Sequence, residues 1–329
     1  MKSIRSFIQS FSILAFSLLL SISVIHADEF NPRVGTRAFT FLKSPIGARA
    51  VAMGGAFTGL ADDESALYYN PAGTVSQNGS RLIIGYQNFM AGIQKGFLGY
   101  IKPLGPDQKI GVFINYLDYG DFIRTDITGL ENGIFGGGSV LLGANYSRQV
   151  SEKLQLGANF KLLYSKVDAF TATGAAIDLG AKYIIRQQSR TRRDRGFGSI
   201  GFSIQNLGSM LSTYVDNAEK DPLPLTFRLG AGGQPRGVPL ILSGDIIKSI
   251  DNDFQIAVGS EYTDASPIIL RLGWSSFGSN YRTTGNDSKL AGFSFGAGFI
   301  FDRMQISYSI TPMNDLGETH RITVTRDLR

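Results

Sequence analysis

The chain contains no cysteine and only two histidines, His26 and His320. Without thiols there is no disulfide framework, no thiol catalysis and no lipidated cysteine. Cys/His metal sites are excluded by count, and a histidine-based triad would rest on His320 alone. Beyond the first 27 residues no apolar run is long enough to cross a bilayer as a helix. A mature chain that lives in a membrane must therefore do so as a closed barrel, where every backbone group finds a partner.

The first residues do carry an apolar run. Lys2 and Arg5 precede an uncharged stretch from Phe7 to Ile25, and the small Ala27 stands before Asp28 and Glu29. This is the order of a secretory signal peptide, residues 1–27, cleaved after Ala27. The competing reading is a single transmembrane anchor, against which stand Gln9, the repeated serines and the lack of a basic stop-transfer segment. Cleavage removes two cations, Lys2 and Arg5, from 32 Lys+Arg set against 27 Asp+Glu. The remaining excess is too small to point to nucleic acid, and no nucleic-acid partner is expected.

What is abundant is glycine, phenylalanine and tyrosine: 40, 23 and 13 residues respectively. From Ser80 onward the sequence repeats runs of period-two alternation separated by turns. In 153–167, Leu154, Leu156, Ala158, Phe160, Leu162 and Tyr164 share one face, and Gln155, Gly157, Asn159, Lys161 and Ser165 the other. In 290–302, Phe293, Phe295, Phe299 and Phe301 oppose Gly292, Ser294, Gly296 and Gly298. Such runs are strands with one greasy and one polar face.

The same pattern predicts strands over 80–90, 93–102, 108–119, 135–149, 153–167, 173–186, 198–207, 223–232, 238–249, 253–264, 267–277, 290–302, 303–312 and 319–328, about fourteen in all. A soluble sandwich or propeller also alternates. Strand length favours a tilted membrane crossing, since soluble strands average roughly five or six residues. Connection length favours it too: 119–134, 208–222, 278–289 and 312–319 are long, while 149–153, 263–267 and 302–303 are tight. The long arginine-rich connection 187–196 and the short turn 249–253 break that rule. The predicted fold is all-β, a closed antiparallel transmembrane barrel over residues 80–329.

On the polar face of these strands stand Lys161, Asp178, Lys182, Arg228, Asp245, Glu261 and Arg271, expected to line a wet lumen. Leu141, Leu163, Ile184 and Ile269 interrupt that face and are candidates for an apolar ligand pocket. An arginine introduced at Phe295 or Phe160 should cost roughly 2–4 kcal/mol at mid-membrane. One at Asn159, on the wet face, should cost much less.

Residues 31–78 do not alternate. Asp62 is placed to cap a short helix with Asp63 and Glu64 in its first turn, ending at Asn70-Pro71, and Gly54-Gly55 allows a bend before it. A long stretch without strand pattern ahead of a barrel is what an internal plug would look like. The elements Arg49, Met53-Gly54-Gly55, Asp62-Asp63 and Asn70-Pro71-Ala72-Gly73 resemble the N-terminal signature of the PorV/PorQ family, grouped with FadL-like outer-membrane proteins. Gly317 to Ile322 resembles that family's last strand, although the chain ends Asp327-Leu328-Arg329 without the aromatic terminus of barrel-assembly signals.

The resemblance implies a hatch formed by residues 28–79 inside a fourteen-stranded barrel, located in the outer membrane among lipid and lipopolysaccharide and inserted by the barrel-assembly machinery. It implies either a conduit for hydrophobic, fatty-acid-like small molecules gated by the hatch, or a PorV-like carrier of cargo working with type IX secretion components. Neither role needs a cofactor or a metal, and no enzyme is expected. Gly196-x-Gly198-x-x-Gly201 matches a dinucleotide fingerprint as a string but enters a strand where that mechanism needs a helix. The run Arg190, Arg192, Arg193 and Arg195 fits anions or a solvated turn.

Overall fold

The computed structural model describes residues 33–89, 92–186, 196–279 and 290–328. The expected signal peptide and the Arg190–Arg195 run lie outside them. Residues 35–329 form one compact unit. Within it, β1 (Ser80–Asn88), β2 (Gln94–Gly105), β3 (Gln108–Thr125), β4 (Glu131–Gln149), β5 (Leu154–Val167), β6 (Phe170–Arg186) and β7 (Phe197–Ser212) follow in order. They continue with β8 (Thr226–Gln234), β9 (Leu240–Ser249), β10 (Phe254–Tyr262), β11 (Ile268–Ser275), β12 (Phe293–Phe301), β13 (Met304–Pro312) and β14 (Glu318–Leu328).

Each strand pairs with its sequence neighbours, and β1 pairs antiparallel with β14, so the sheet closes into a barrel with no free edge. The predicted strands all form, with ends shifted by a few residues. The largest difference is 119–134, expected as a loop: Asp121↔Gly136, Phe122↔Phe135 and Ile123↔Ile134 keep pairing, so β3 and β4 run on as a two-stranded ribbon. Antiparallel order puts Ser80 and Leu328 at one end of the barrel. The β1–β2, β3–β4, β11–β12 and β13–β14 connections lie at the other, here termed the loop end.

Alternation decides which side chains are exposed. On β5, Leu156, Phe160, Leu162 and Tyr164 are exposed, while Gln155, Asn159, Lys161 and Ser165 are buried. The same division holds on β8, where Phe227 and Leu229 are exposed and Thr226 and Arg228 buried. The barrel thus has an apolar outer face and a polar buried face, the inverse of a soluble protein. Among the described residues no helix is long and apolar enough to cross a membrane.

Residues 39–77 fold as short pieces: a 3-10 turn Thr40–Lys43, a helix Ala48–Ala52, a helix Ala66–Tyr69 and a 3-10 turn Pro71–Ser76. The bend predicted at Gly54-Gly55 is there, with φ of 69° and 80°. The predicted helix cap is not. The helix begins at Ala66 because the Asp62 and Asp63 carboxylates are drawn to Arg49. Asp63 Oδ1 instead accepts from Ser65 N at 2.7 Å, closing a tight turn before the helix. Asn70 does end it: its backbone is extended, as the following proline requires, and Pro71 starts the next turn.

Candidate functional site

The candidate site is the contact between residues 39–77 and the buried face of the strands. Arg49 is its centre. Its Nη1 donates to Asp62 at 2.7 Å and to Asp63 at 3.1 Å, and its Nε and Nη2 grip Glu261 at 2.8 and 3.0 Å. Arg271 Nε donates to the same Glu261 at 2.7 Å, and the Arg49 guanidinium lies over the Phe57 ring. The N-terminal motif residues Arg49, Asp62 and Asp63 and the strand residues Glu261 and Arg271 were expected separately, and the fold joins them. The three carboxylates hold the Arg49 pKa well above its ordinary value against the opposing effect of burial. Burial, aided by the Asp62 charge, raises Asp63.

The strand charges expected to line a wet lumen all have partners among the described residues. Lys161, Asp178, Lys182, Arg228, Asp245, Glu261 and Arg271 are all buried. Lys182, Arg228, Asp245 and Glu261 bond residues of the segment 39–77 and the others bond strand residues, since buried charges persist only when paired or hydrogen-bonded. Asp245 accepts from Phe57 N at 3.2 Å, Thr58 N at 3.0 Å and Thr58 Oγ1 at 2.6 Å. Arg228 donates to Gly55 O at 2.7 Å and pairs with Asp245 at 3.1 Å. Lys182 donates to the carbonyls of Leu60 and Ala61. Lys161 pairs with Asp178 at 2.6 Å.

Asn70 works in both directions. Its Oδ1 accepts from Ala72 N at 3.2 Å, and its Nδ2 donates to Thr58 O and, on β6, Ala181 O, both at 3.0 Å. Met53 and Ala72 are fully buried, and Pro71 and Gly73 are buried beside them. Strand glycines make room for this backbone. A Cβ at Gly201 would overlap the Thr58 carbonyl, one at Gly157 the Pro71 carbonyl group, and one at Gly259 or Gly273 the backbone of Met53 or Gly54.

Several residues escaped the sequence reading. Lys95 reaches Ser44 O at 2.6 Å and Pro45 O at 3.0 Å, and Lys109 donates to Gln77 O. Ser203 donates to Tyr69 O at 3.0 Å, while Asn159, already placed on the polar face, donates to Leu67 O at 2.8 Å. Lys95 shares its face with Phe97 and Ile101, so no polar stripe marked it. Leu141 and Leu163 do not form an open pocket. They join a buried cluster with Phe39 and Phe41, which occupy the space. Ile269 is buried outside that cluster, and Ile184 is half-buried.

Open space lies at the loop end. A cavity of about 450 Å³ is bounded by Val51, Phe89, Phe277, Pro312, Met313 and Arg321, with Gly54 and Gly55 on its floor. A second of about 120 Å³ shares Pro45, Gly54 and Phe277 with it and reaches Tyr68, Tyr69 and Arg228. Among the described residues no cluster of His, Cys, Asp or Glu is arranged to hold a metal ion. His320 bonds Tyr308 through Nδ1 at 2.6 Å and lies 3.1 Å from Glu318 through Nε2.

No family model and no curated protein matches the sequence, so the PorV/PorQ resemblance is not shown. Solved structures do match in fold. The toluene transporter TodX of Pseudomonas putida has a TM-score of 0.55 at 13% identity over 87% of this chain and 99% of that one. The CymD monoaromatic hydrocarbon channel has a TM-score of 0.55 at 13% identity over 87% and 98%. A FadL homologue of Pseudomonas aeruginosa has 0.51 at 14% identity over 86% and 97%. The chain is therefore similar in fold, along almost their whole length, to barrels of the FadL type.

Proposed function

We propose that this chain is an outer-membrane channel for hydrophobic small molecules, with residues 35–79 seated inside the barrel as its plug. One observation supports the reading: the barrel is closed and apolar on its exposed face, its buried polar face is hydrogen-bonded to residues 39–77, and an apolar cavity lies beside them. The exposed Leu142, Phe160, Leu229, Ile246 and Leu270 make an outer belt suited to hydrocarbon and a liability in water. The hydrocarbon channels of similar fold support the substrate class. The cavity of about 450 Å³ falls in the range of small-ligand sites.

The experiment is transport of an alkylbenzene across an asymmetric bilayer whose outer leaflet is lipopolysaccharide. Protein-containing membranes should pass it faster than protein-free ones, and equal rates would end the channel reading. A second reading, a PorV-like carrier in type IX secretion, has one observation of its own. The ribbon at the tips of β3 and β4 exposes Ile123, Ile127, Leu130 and Ile134, an apolar surface suited to a protein partner. Deleting 122–134 would abolish cargo display under that reading and leave alkylbenzene transport intact.

A further inference from the structure

The ribbon at the far ends of β3 and β4 leaves open what the rest of the sheet closes. β2 follows β3 no further than Asp118 and β5 follows β4 no further than Gly137, while β3 and β4 keep pairing from Asp121↔Gly136 to Thr125↔Glu131. Among the described residues no strand lies against either edge beyond those points. Both edges therefore offer backbone N–H and C=O groups at strand spacing, a template for a further strand, and two strands alone are marginal in water. The ribbon is nonetheless held in place: Arg124 crosses the Phe135 ring to reach Asp168 in the β5–β6 turn at 2.7 Å, and Phe122 stacks on Phe135. The opposite face sets Ile123 beside Ile134, both exposed.

Charge sorts the occupants that could fit. Asp118, Asp121, Asp126 and Glu131 stand against Arg124, the only cation between residues 118 and 136, and Arg124 is already bound to Asp168. Asp118 and Asp126 accept from backbone N–H groups close by. Asp121 and Glu131 are exposed and have no partner among the described residues. A second copy would bring the same carboxylates edge to edge, and like charges directly opposite are destabilising. Phosphorylated sugars of lipopolysaccharide are anionic as well, and a lipid tail offers an open strand edge nothing to bond. An extended peptide with basic and aliphatic side chains satisfies the backbone groups, the carboxylates and the isoleucines together. Asp121 and Ile123 lie two residues apart on one face of β3, which sets the spacing of its partners.

We propose that this ribbon is a strand-addition site for an extended segment of a partner protein, one that sets a basic residue beside Asp121 and an aliphatic residue beside Ile123. The inference deepens the protein contact of the second reading and rests on that contact alone, with no need of type IX cargo or of the pore's solute.

The test is equilibrium binding of labelled peptides to the full chain in neutral-lipid nanodiscs, with empty nanodiscs as blank. The probes are a short peptide repeating Lys-Thr-Val-Thr, its Glu-Thr-Val-Thr counterpart, and the lysine peptide N-methylated throughout, which keeps the charges and loses every backbone donor. The lysine peptide should bind about tenfold tighter than either of the others. The double variant Asp121→Lys, Glu131→Lys, once heat-dependent gel mobility confirms a folded barrel, should reverse the preference between lysine and glutamate. Equal binding of the methylated peptide overturns strand addition, and equal binding of the glutamate peptide overturns the assigned charge. Dimerisation of the free chain that deletion of 122–134 removes would give the surface to a second copy, and protection of the ribbon amides by lipopolysaccharide alone would give it to lipid; either overturns the proposal. Cargo display lost on that deletion without any peptide binding would keep the contact and overturn its chemistry. Should the variants not assemble, the three peptides on the native protein decide alone.

Discussion

The two faces of β5 follow different rules. Outward, Leu156, Phe160, Leu162 and Tyr164 are exposed, and the surroundings ask of them only that they be apolar. Inward, Gln155 accepts from Ser76 Oγ at 2.7 Å, Asn159 holds Leu67 O, Lys161 holds Asp178, and Gly157 leaves space for Pro71. The outer face is a pattern, whereas the inner face is a set of individual agreements, with residues 67–76 and with the next strand. Substitutions should therefore be judged by hydropathy outside and by exact shape and hydrogen bonding inside.

The strongest break of that contrast is a glycine that touches the segment. Gly201→Val places a side chain against the Thr58 carbonyl, and the clash is with backbone, which cannot rotate away. The segment should lose its seat, so residues 48–73 become protease-sensitive and the barrel conducts ions in planar bilayers. Gly96→Val, at a glycine with open space around it, should change neither. Equal behaviour of the two variants would mean that the segment is not held by close packing.

Next come two arginine substitutions. Phe295→Arg on the outer face should cost roughly 2–4 kcal/mol near mid-membrane. Asn159→Arg, which alternation alone marks as mild, should cost at least as much. Asn159 is buried and its amide bridges Leu67 O, Asp178 and Asn145, so an arginine would displace the segment above it. Urea unfolding in detergent micelles measures both, and a mild Asn159→Arg would restore the picture of a wet lumen.

These cases show what the sequence could and could not reveal. Period-two alternation marks which residues of β5 and β12 face out, because only polarity matters there. It also picks out Lys161, Asp178 and Arg228, since a charge in a strand stands out against a greasy one. It does not say what meets such charges, because the partners of Lys182, Arg228 and Asp245 in the N-terminal segment lie 122, 173 and 187 positions away. Lys95 is silent for a related reason: it bonds the backbone carbonyls of Ser44 and Pro45, which no spacing of residue types encodes. Arg49, Asp62 and Asp63 were legible as a motif, but their meeting with Glu261 was not.

Asn70→Ala should have a smaller effect. It removes the donor shared by Thr58 O and Ala181 O and the acceptor for Ala72 N, leaving buried backbone groups open at a cost of about 1–3 kcal/mol. The barrel should assemble, while amides from Thr58 to Gly73 exchange faster with deuterium. Unchanged exchange would show that Asn70 is replaceable by its surroundings.

The smallest expected effect is one of pH, at the opposite end of the barrel from the cavity. Glu64 is 1% exposed, with Oε1 paired to Arg81 at 3.1 Å and Oε2 unbonded. Burial, with the neighbouring Asp63 charge, pushes its pKa from 4.5 up to about 7, against the pull of Arg81. Between those two values the docked segment holds a proton that an undocked, solvated Glu64 has released, so docking takes up a proton and weakens as pH rises. The stabilisation is fully present below pH 4.5 and is lost as pH passes about 7. Amide exchange in residues 61–77 should accordingly quicken, relative to its intrinsic pH dependence, as pH is raised through that window. Glu64→Gln, neutral throughout, should flatten the profile while keeping a side chain able to accept from Arg81. If the native protein's corrected exchange is already flat, Glu64 stays ionised beside Arg81, and the terminal end of the barrel is as indifferent to pH as its outer face.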